Sequence, residues 1–432
     1  MKKYDNYKDS GIDWIGNIPS GWSCTKLKFH TKKIIDGAHF TPTYIEKSKD
    51  SIPFLRVTDL HSKEILLDEV KYIPLSEHQE LIKRCNPEIG DLLLSKNGTI
   101  GLMKIIDWDW EFSIFVSLCL LKFEKTLLNK FFYYFFESNI VDRQLFESSQ
   151  KTSVSNLHLE KIKELRLTLP SINEQLNISN YLDHKTAQID TLIAKKEQFI
   201  SLLQEERTVV INQAVTKGLD PKVKMKDSGI EWLGEIPEHW ELKKLKYLCQ
   251  IISEKSSDKP DYVLALENIK SWTGEIVGNP YENKMEGDVN LFKENDILFN
   301  KLRPYLAKVI KTETDGGCVG ELLVLRANHF LTPTFLYYRM ISEAIITIVD
   351  NSTYGTKMPR ASWDKFISLI GVGFPTIDEQ NQITNYISRK ISDISSLISK
   401  AEQEIELLKE YKTALISEVV TGKVDVRDVI LN

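Results

Sequence analysis

Residues 8–22 read KDSGIDWIGNIPSGW and residues 226–240 read KDSGIEWLGEIPEHW, with ten of the fifteen positions identical. A second pair of related segments follows: LPSINEQLNISNYL begins at Leu169, and FPTIDEQNQITNYI begins at Phe374. An internal repeat of this kind is stronger evidence about the architecture of a chain than any single motif. The sequence therefore predicts two similar units, each built on a tryptophan-rich segment and a proline-led helix.

The stretches enclosed by the repeated segments differ in length. The tryptophan-rich segment recurs after 218 residues, whereas the proline segment recurs after 205. The chain from Trp22 to Pro170 therefore spans 148 residues, and the chain from Trp240 to Pro375 spans 135. A constant frame with inserts that differ by 13 residues (148 − 135) indicates a scaffold that carries two divergent modules.

Apolar residues after each proline follow the alternating four- and three-residue spacing of a coiled coil. In the second copy the spacing includes Ile387, Ile391, Ile394, Ile398, Ala401, Ile405, Leu408, Leu415 and Val419. In the first copy it includes Leu182, Ile189, Ile193, Ile200, Leu203, Val210 and Ala214. Each helix of about 40 residues would be about 60 Å long. Pairing of the two helices within one chain is the economical arrangement, and a homodimeric coiled coil is the alternative.

Composition limits the class of protein. The 432 residues are 42% hydrophobic and 27% charged, which suits two or three globular domains. The formal net charge of −5 provides no global basic field, so any DNA binding must rest on local basic loops. The cysteines show no paired spacing and are expected to be reduced thiols. Neither a secretory signal nor a transmembrane run is visible, and we expect a cytoplasmic protein with no membrane association.

The inserts are predicted to be mixed α/β modules. In the first insert, strand patterns lie at 52–60, 90–106 and 111–123, and a helix is predicted at 130–145. In the second, the strand patterns lie at 262–269, 295–310 and 321–327, and the helix at 332–345. The order is the same in both inserts. The modules are therefore expected to share a fold and to differ in surface.

Signatures of catalysis are missing from the sequence. No phosphate-binding loop and no glycine-rich dinucleotide motif occur. Asn279-Pro280-Tyr281 is similar to a methyltransferase motif, but its polar surroundings favour a turn. The eight histidines show no metal-ligand spacing. We therefore predict no catalytic residue and no metal site.

Polar loops beside the predicted strands are the candidates for recognition. Ser95 to Thr99 reads SKNGT, a mixture that suits phosphates or base edges, although Asn-Gly is also a strong hairpin signal. The corresponding stretch in the second insert carries Lys301, Arg303 and Tyr305. Its arginine can bind guanine with two hydrogen bonds, and a solvated edge strand is the alternative. Two further loops, at 148–153 and 354–360, occupy matching places before each long helix.

Taken together, these motifs resemble the specificity subunits of Type I restriction-modification enzymes over nearly the whole chain. The resemblance rests on the duplicated DSG-x-x-W segment, the P-x-I-x-EQ start of each long helix and motifs inside the modules. The module motifs are Asp36 to Pro42, Ile52 to Arg56, Gly90 to Lys96, Leu266 to Ile269, Asp296 to Leu306 and Met358-Pro359. Asn295 departs from the family, since many second modules carry glycine there.

The resemblance implies an α/β (α+β) fold with a pseudo-two-fold repeat, in which two long antiparallel coiled-coil helices separate two target recognition domains. The expected segments are an N-terminal repeated segment (1–22), the first recognition domain (23–168), a central helix (169–218), the second repeated segment (219–240), the second recognition domain (241–374), a distal helix (375–424) and a tail (425–432). Each domain would read one half of an asymmetric, bipartite, double-stranded DNA site.

The resemblance also implies partners. Two methyltransferase subunits would bind the helical scaffold, and motor-nuclease subunits would join for restriction. This chain would bind no cofactor, since S-adenosylmethionine, ATP and magnesium would belong to the partners. Two alternatives remain, namely an enzyme that methylates or cuts DNA by itself and a coiled-coil adaptor that binds no DNA.

The sequence and the resemblance together select two sets of site residues. The predicted DNA contacts are His39, Thr41, Lys96, Asn97, Thr99, Lys151, Ser153, Lys301, Arg303, Tyr305, Lys357 and Arg360. The predicted partner contacts are Trp14, Trp22, Trp232, Trp240, Glu174, Gln175, Glu379 and Gln380.

Overall fold

The computed structural model describes residues 2–62, 64–147, 156–283, 287–355 and 357–430, without the side chains of residues 146 and 147. The chain divides into two compact units. The first contains residues 1–195 and 403–432, and the second contains residues 196–402. Each unit therefore contains one repeated segment, one insert and a part of both long helices.

The first insert is a mixed module preceded by a short strand pair. The strands of this unit are β1 (Tyr7–Asp9), β2 (Asn17–Pro19), β3 (Ser23–Lys26), β4 (Thr31–Asp36), β5 (Ser51–Leu55), β6 (Lys71–Pro74), β7 (Leu92–Ser95), β8 (Met103–Ile105), β9 (Ser113–Ile114), β10 (Leu118–Phe123) and β11 (Arg166–Leu169). The short helices are α1 (Leu75–Arg84), α2 (Asn129–Phe136), α3 (Asn139–Glu147) and α4 (Leu159–Glu164). The long helix α5 (Ile172–Lys217) follows.

The second unit repeats this plan with fewer helices in its described part. Its strands are β12 (Met225–Asp227), β13 (Glu235–Pro237), β14 (Glu241–Lys244), β15 (Cys249–Ile252), β16 (Lys255–Ser256), β17 (Val263–Leu264), β18 (Val289–Phe292), β19 (Ile297–Asn300), β20 (Val309–Lys311), β21 (Gly316–Cys318), β22 (Leu322–Ala327) and β23 (Gly371–Phe374). Its helices are α6 (Pro333–Ile341), α7 (Glu343–Asn351) and the start of the long helix α8 (Ile377–Val420).

Sheet topology confirms that the inserts share a fold. A four-stranded sheet of order β4-β10-β7-β8 in the first unit matches β15-β22-β19-β20 in the second. The strands that open and close each insert also pair, as β3 with β11 and β14 with β23. The other sheet differs, since it is β6-β5-β9 in the first unit and β16-β18-β21-β17 in the second. The inserts therefore diverge mainly outside the common sheet.

The common sheet is buried on both faces, which explains its continuous apolar runs. Leu92 and Leu94 of β7 belong to the core that contains the short helices, whereas Leu93 belongs to a separate core beneath β5. Ile297 and Leu298 of β19 divide between two cores in the same way. Each module is therefore a sheet covered by helices on one face and by a second sheet on the other.

The coiled-coil prediction is confirmed within each unit. In the first unit, Leu182 and Ile189, early in α5, share a core with Leu415 and Val419, late in α8. Lys412 also donates to Asp190 at 2.7 Å. In the second unit, residues late in α5 share a core with residues early in α8. Because early residues meet late ones, the helices run antiparallel, and every predicted seam position is buried or half-buried.

Each long helix carries in its first turn a glutamate-glutamine pair that contacts the surrounding frame. Glu174 accepts a hydrogen bond from the Trp22 indole at 3.1 Å, and Glu379 accepts one from the Trp240 indole at 3.0 Å. Both indoles are 1% exposed, so an unpaired N–H would be costly. Ser171 and Glu174 also form the hydrogen bonds of a capping box at the start of α5. The repeated tryptophan segment is thus fastened to the start of a long helix in both units.

The neighbouring glutamines fasten each helix to its module. Gln175 is fully buried, donates to the carbonyl oxygens of Thr126 and Pro170, and accepts from the amide of Leu128. Gln380 makes the same three contacts with Phe330, Pro375 and Thr332. The amides therefore connect the start of each long helix to the loop before α2 or α6.

The ends of the long helices also meet the repeated segments. Gly422, just beyond α8, has a φ of 74°, and a Cβ there would lie 2.4 Å from Pro19 and 3.1 Å from Trp22. Glycine is therefore required by both conformation and space. Gly218, just beyond α5, has the same φ and lies against Trp240.

The single helix predicted in each insert is wrong, because each is broken in two. α2 and α3 are separated at Glu137-Ser138, and α6 and α7 at Ser342. Both serines are buried, and their hydroxyls donate to the carbonyl of the residue three positions earlier. Serine that bonds its own backbone competes with helix continuation.

Asn295 does not disturb the turn that it occupies. Its φ is 67°, and the matching Gly90 has a φ of 88°. Asparagine enters the left-handed region more readily than other residues with a side chain. The following aspartates form equivalent ion pairs, Asp91 with Lys122 at 2.7 Å and Asp296 with Arg326 at 2.6 Å. The turn is therefore common to both modules.

Replacing Ile394 with aspartate should destabilise the second unit. Ile394 is 4% exposed at a seam position of α8, and a buried unpaired carboxylate together with lost packing should cost about 3 kcal/mol or more. Thermal unfolding of the isolated chain measures the effect. Leu397→Asp is the matched control, because Leu397 is 44% exposed one turn away. Equal melting temperatures for the two variants would contradict the buried seam.

Candidate nucleic-acid interface

The loop of 96–102 connects the antiparallel strands β7 and β8. The fully buried Ser95 holds both ends of this loop. Its hydroxyl donates to the carbonyl of Thr99 at 2.6 Å and accepts from the amide of Leu102 at 2.8 Å. The backbone of Lys96 accepts from Leu157 at 2.7 Å. The prediction of a hairpin is thus correct for the backbone. The polar side chains extend from a loop whose backbone is held in place.

The loop of 301–308 has the same construction in the second module. The buried Asn300 donates to the carbonyl of Leu302 at 2.6 Å and accepts from its amide at 2.9 Å. The backbone of Lys301 accepts from Ala361 at 2.9 Å. Both loops therefore pair with the segment that precedes the closing strand of the module. We call the loop 96–99 with residues 36–41, 56 and 84 the first edge, and the loop 301–307 with residues 354, 355 and 357–360 the second edge.

Arg303 occupies an unusual backbone conformation on the second edge. Its φ is 51° and its ψ is 64°, and its amide donates to the carbonyl of Pro359 at 2.8 Å. A residue with a Cβ is strained in this region, and such strain concentrates at functional positions. Ala307 closes the same turn with a φ of 45°. The exposed Arg303 side chain therefore projects from a backbone held at both ends.

A buried carboxylate organises the first edge. Asp36, at the end of β4, is 5% exposed. It contacts Arg84 at 2.5 Å, His39 at 3.0 Å and Lys96 at 3.4 Å. Burial alone would raise the pKa of Asp36, but hydrogen bonds from His39 and Arg84 and the charge of Lys96 outweigh it and lower the pKa. The carboxylate is therefore ionised at neutral pH and gathers three basic side chains.

The predicted contacts of the first module fall in different environments. His39, Thr41 and Thr99 are exposed, Asn97 is half-buried, and Lys96 is buried against Asp36. A DNA contact by Lys96 would require that its ion pair open. Lys151 and Ser153 lie outside the described residues. All of these DNA contacts remain predictions.

The predicted contacts of the second module lie together on the second edge. Arg303, Tyr305 and Lys357 are exposed, and Lys301 is half-buried. Arg360 is held by Glu321 at 2.8 Å, and its backbone pairs with both Leu302 and Tyr354. The structure thus brings these residues onto one surface, where their contact with DNA remains a prediction.

Most of the predicted partner contacts have internal roles. The side chains of Trp22, Trp240, Gln175 and Gln380 are buried, and Glu174 and Glu379 bind the two indoles. Trp14 and Trp232 are half-buried, so they retain surface for a partner. Contact of these eight residues with a partner remains a prediction.

The sequence-based prediction of DNA contacts did not include two arginines of the first edge. Arg84 is the last residue of α1 and reaches Asp36 from 48 positions away. Arg56 follows β5 and pairs with Asp59 at 3.2 Å. Arg56 stood in a motif that the resemblance used, so it could have been selected. No sequence signal connects Arg84 to Asp36.

The second unit contains a cavity of about 680 Å³ that no residue of the second edge lines. Residues of α5 and α8 line it together with the loop 270–275 and the start of α7. None of the predicted site residues lines it. Duplex DNA is read by groups that project into its grooves, so the edges are better candidates for recognition than this cavity.

Two kinds of site are absent from the described residues. No group of three or more histidine, cysteine, aspartate or glutamate side chains there could hold a metal ion. Among the same residues, no helix combines the length and apolar character that a membrane span requires.

Comparison with known proteins finds similarity to Type I specificity subunits. The Type I restriction modification DNA specificity domain matches residues 32–201. The putative type I restriction enzyme MjaX specificity subunit of Methanocaldococcus jannaschii is 25% identical, with 98% of each chain covered. The EcoDI specificity subunit of Escherichia coli is 23% identical over 77% of each chain. The chain is thus similar, over nearly its whole length, to Type I specificity subunits.

A solved structure has the same fold. It was reported as the "structural basis underlying complex assembly and conformational transition of the type I R-M system". Its TM-score is 0.69 at 14% identity, with 94% of this chain and 99% of that chain covered. The fold is therefore retained across a large sequence divergence.

Proposed function

We propose that the chain is the non-catalytic DNA-reading subunit of a Type I restriction-modification complex. Each module reads one half of a bipartite duplex site, and the two halves differ in sequence. The long helices carry two methyltransferase subunits, and motor-nuclease subunits join that assembly for restriction. The observation that carries the proposal is the pair of equivalent edges, built on one backbone plan and equipped with different side chains.

The chemistry of the edges suits the reading of duplex DNA. Arginine binds guanine with two hydrogen bonds, and amide or hydroxyl groups bind bases or phosphates. The first edge offers Arg84, Asn97 and Thr99, whereas the second offers Arg303, Tyr305 and Lys357. Because these groups are not equivalent, the two half-sites should be unrelated. The net charge of −5 leaves much of the phosphate neutralisation to the partner subunits.

Exposed apolar residues on the long helices suit partner binding. Leu192 and Leu202 of α5 are 44% and 54% exposed. Their equivalents, 205 positions later in α8, are Leu397 and Leu407, which are 44% and 63% exposed. Apolar groups that recur at matching exposed positions indicate protein contacts. The repetition supports two equivalent sites for two identical subunits.

Methyl transfer, ATP hydrolysis and cleavage belong to the partners in this proposal. S-adenosylmethionine, ATP and magnesium bind those subunits, and this chain holds no cofactor. The missing catalytic motifs support this division of labour. The complex acts in the cytoplasm, where cellular DNA is accessible.

Selection from a random duplex library tests the proposal. The chain is purified with its methyltransferase subunits, and bound duplexes are sequenced. We expect two fixed half-sites separated by a spacer of constant length. A stable complex that enriches no sequence would favour the adaptor. Methyl transfer by this chain alone would overturn the non-catalytic assignment.

Arg303→Ala should relax recognition of one half-site and leave the other readable. Loss of a contact with two hydrogen bonds costs about 1–3 kcal/mol of discrimination. This discrimination is measured as the affinity of the complex for duplexes with single base-pair changes in either half-site. Lys311→Ala, at the other end of the same hairpin, is the control. An equal loss of affinity for all sequences would instead indicate that Arg303 contacts a phosphate.

Leu202→Asp and Leu407→Asp should each remove one methyltransferase subunit. The two leucines are equivalent in the repeat, and a charge at an apolar contact opposes binding. Native mass spectrometry should show the stoichiometry fall from two partners to one in each single variant and to none in the double variant. Ser201→Asp, at an adjacent exposed position, should retain both. Retention of two partners by the double variant would exclude this surface.

A further inference from the structure

We propose that Asp36 is a positioning residue for recognition of the first half-site. It holds Arg84 and His39 in the orientation in which they meet a nucleic acid. The inference rests on the proposed function, because it assigns a role within the DNA-reading edge of the first module. It also predicts that the first half-site is read by groups that are fixed before DNA arrives.

The geometry around Asp36 is that of a fixed support. One carboxylate oxygen, Oδ1, contacts both Arg84 at 2.5 Å and His39 at 3.0 Å, while Oδ2 faces the Lys96 ammonium at 3.4 Å. Arg84 also donates to the carbonyl of Gly37 at 3.0 Å. A single buried side chain therefore connects the end of β4, the end of α1 and the hairpin loop after β7.

The backbone beside Asp36 is fixed as well. A Cβ on Gly37 would lie 1.9 Å from the carbonyl oxygen of Ile114. Only glycine allows this close approach, which brings the segment after β4 against β9. The amide of Ala38 donates to the same Ile114 carbonyl at 2.8 Å. The segment that carries His39 is therefore not free to move independently of the sheet.

Exposure separates the supporting groups from the reading groups. Asp36 and Lys96 have side chains that are 7% and 8% exposed, whereas those of Arg84 and His39 are 49% and 60% exposed. The buried pair has little surface to offer DNA. The exposed pair presents basic groups on the edge that also carries Asn97 and Thr99. Asp36 thus acts through its neighbours and not by direct contact.

The second module has a serine, and not an aspartate, at the position equivalent to Asp36. Asp36 lies opposite Cys119 across β4 and β10, and the strand register makes Leu323 the equivalent of Cys119. The pairing of Ile252 with Val324 then puts Ser253 at the position of Asp36. Serine carries no charge, so Lys301, the equivalent of Lys96, has no matching carboxylate. The support is therefore specific to the first module.

Asp36→Asn tests the role, because the loss of charge and the loss of positioning change different measured quantities. Loss of a negative charge near DNA should raise the affinity for all sequences. Loss of positioning should instead lower discrimination between the selected site and single changes in one half. We expect about a tenfold or greater loss of discrimination at that half. The other half should be read as by the wild type, and affinity for unrelated DNA should be unchanged or higher.

Two further variants keep the test decisive. Arg84→Gln replaces a half-exposed side chain, so the module should fold, and it should lose discrimination at the same half as Asp36→Asn. Asp91→Asn removes an ion pair at the other end of the same sheet and is the matched control for a general loss of stability. The whole complex with its methyltransferase subunits is used, and melting temperatures are recorded for each variant.

The outcomes separate this inference from the proposed function. Wild-type discrimination in both Asp36→Asn and Arg84→Gln would overturn the inference while the proposed function stands. An equal loss at both halves, or an equal loss in Asp91→Asn, would overturn it as well, because either result indicates general damage. If the wild-type complex selects no bipartite sequence, the proposed function itself fails.

Discussion

A glutamate carboxylate at the start of each long helix accepts a hydrogen bond from the buried indole of the repeated tryptophan segment. Glu174 meets Trp22 in the first unit, and Glu379 meets Trp240 in the second. Such an indole N–H needs a partner once it is removed from water. The contact fixes where the helix begins relative to the segment. The adjacent glutamine then fixes the helix relative to the module, so the rest of each unit is built around this pair.

This frame explains why the sequence is repeated so unevenly. The tryptophans, the glutamate-glutamine pair and the glycines beyond the helices make contacts that few substitutions could preserve. Gly422, for example, combines a positive φ with the close approach of Pro19 and Trp22. The exposed side chains of the hairpin loops 96–99 and 301–307 are less restricted, because Ser95 and Asn300 hold these loops through backbone groups. Side chains on a loop held in this way can vary without loss of the fold.

The two edges show how one backbone plan can carry different chemistry. In the first module, a buried aspartate neutralises a lysine and orients two exposed basic groups. In the second, the arginine projects from a strained turn, and Arg360 is paired with Glu321 instead. Both arrangements hold cationic groups in place before a ligand binds, and such preorganisation reduces the entropy lost on association. The similarity of the chain to Type I specificity subunits is consistent with the proposal that the two modules read unlike sequences.

The sequence by itself determined the repeat, the heptad seams, the limits of the long helices and most strands of the common sheet. These features depend on local periodicity and on residues such as Pro170 and Gly218, which limit a helix through their own backbone conformation. Only the tertiary structure decided the breaks at Ser138 and Ser342, because each depends on a buried hydroxyl that bonds its own backbone. It also decided the candidate site, since Asp36, Arg84 and Lys96 are separated along the chain. Side chains so far apart meet only when strand register and helix packing bring three elements to one edge, and no local pattern encodes that meeting.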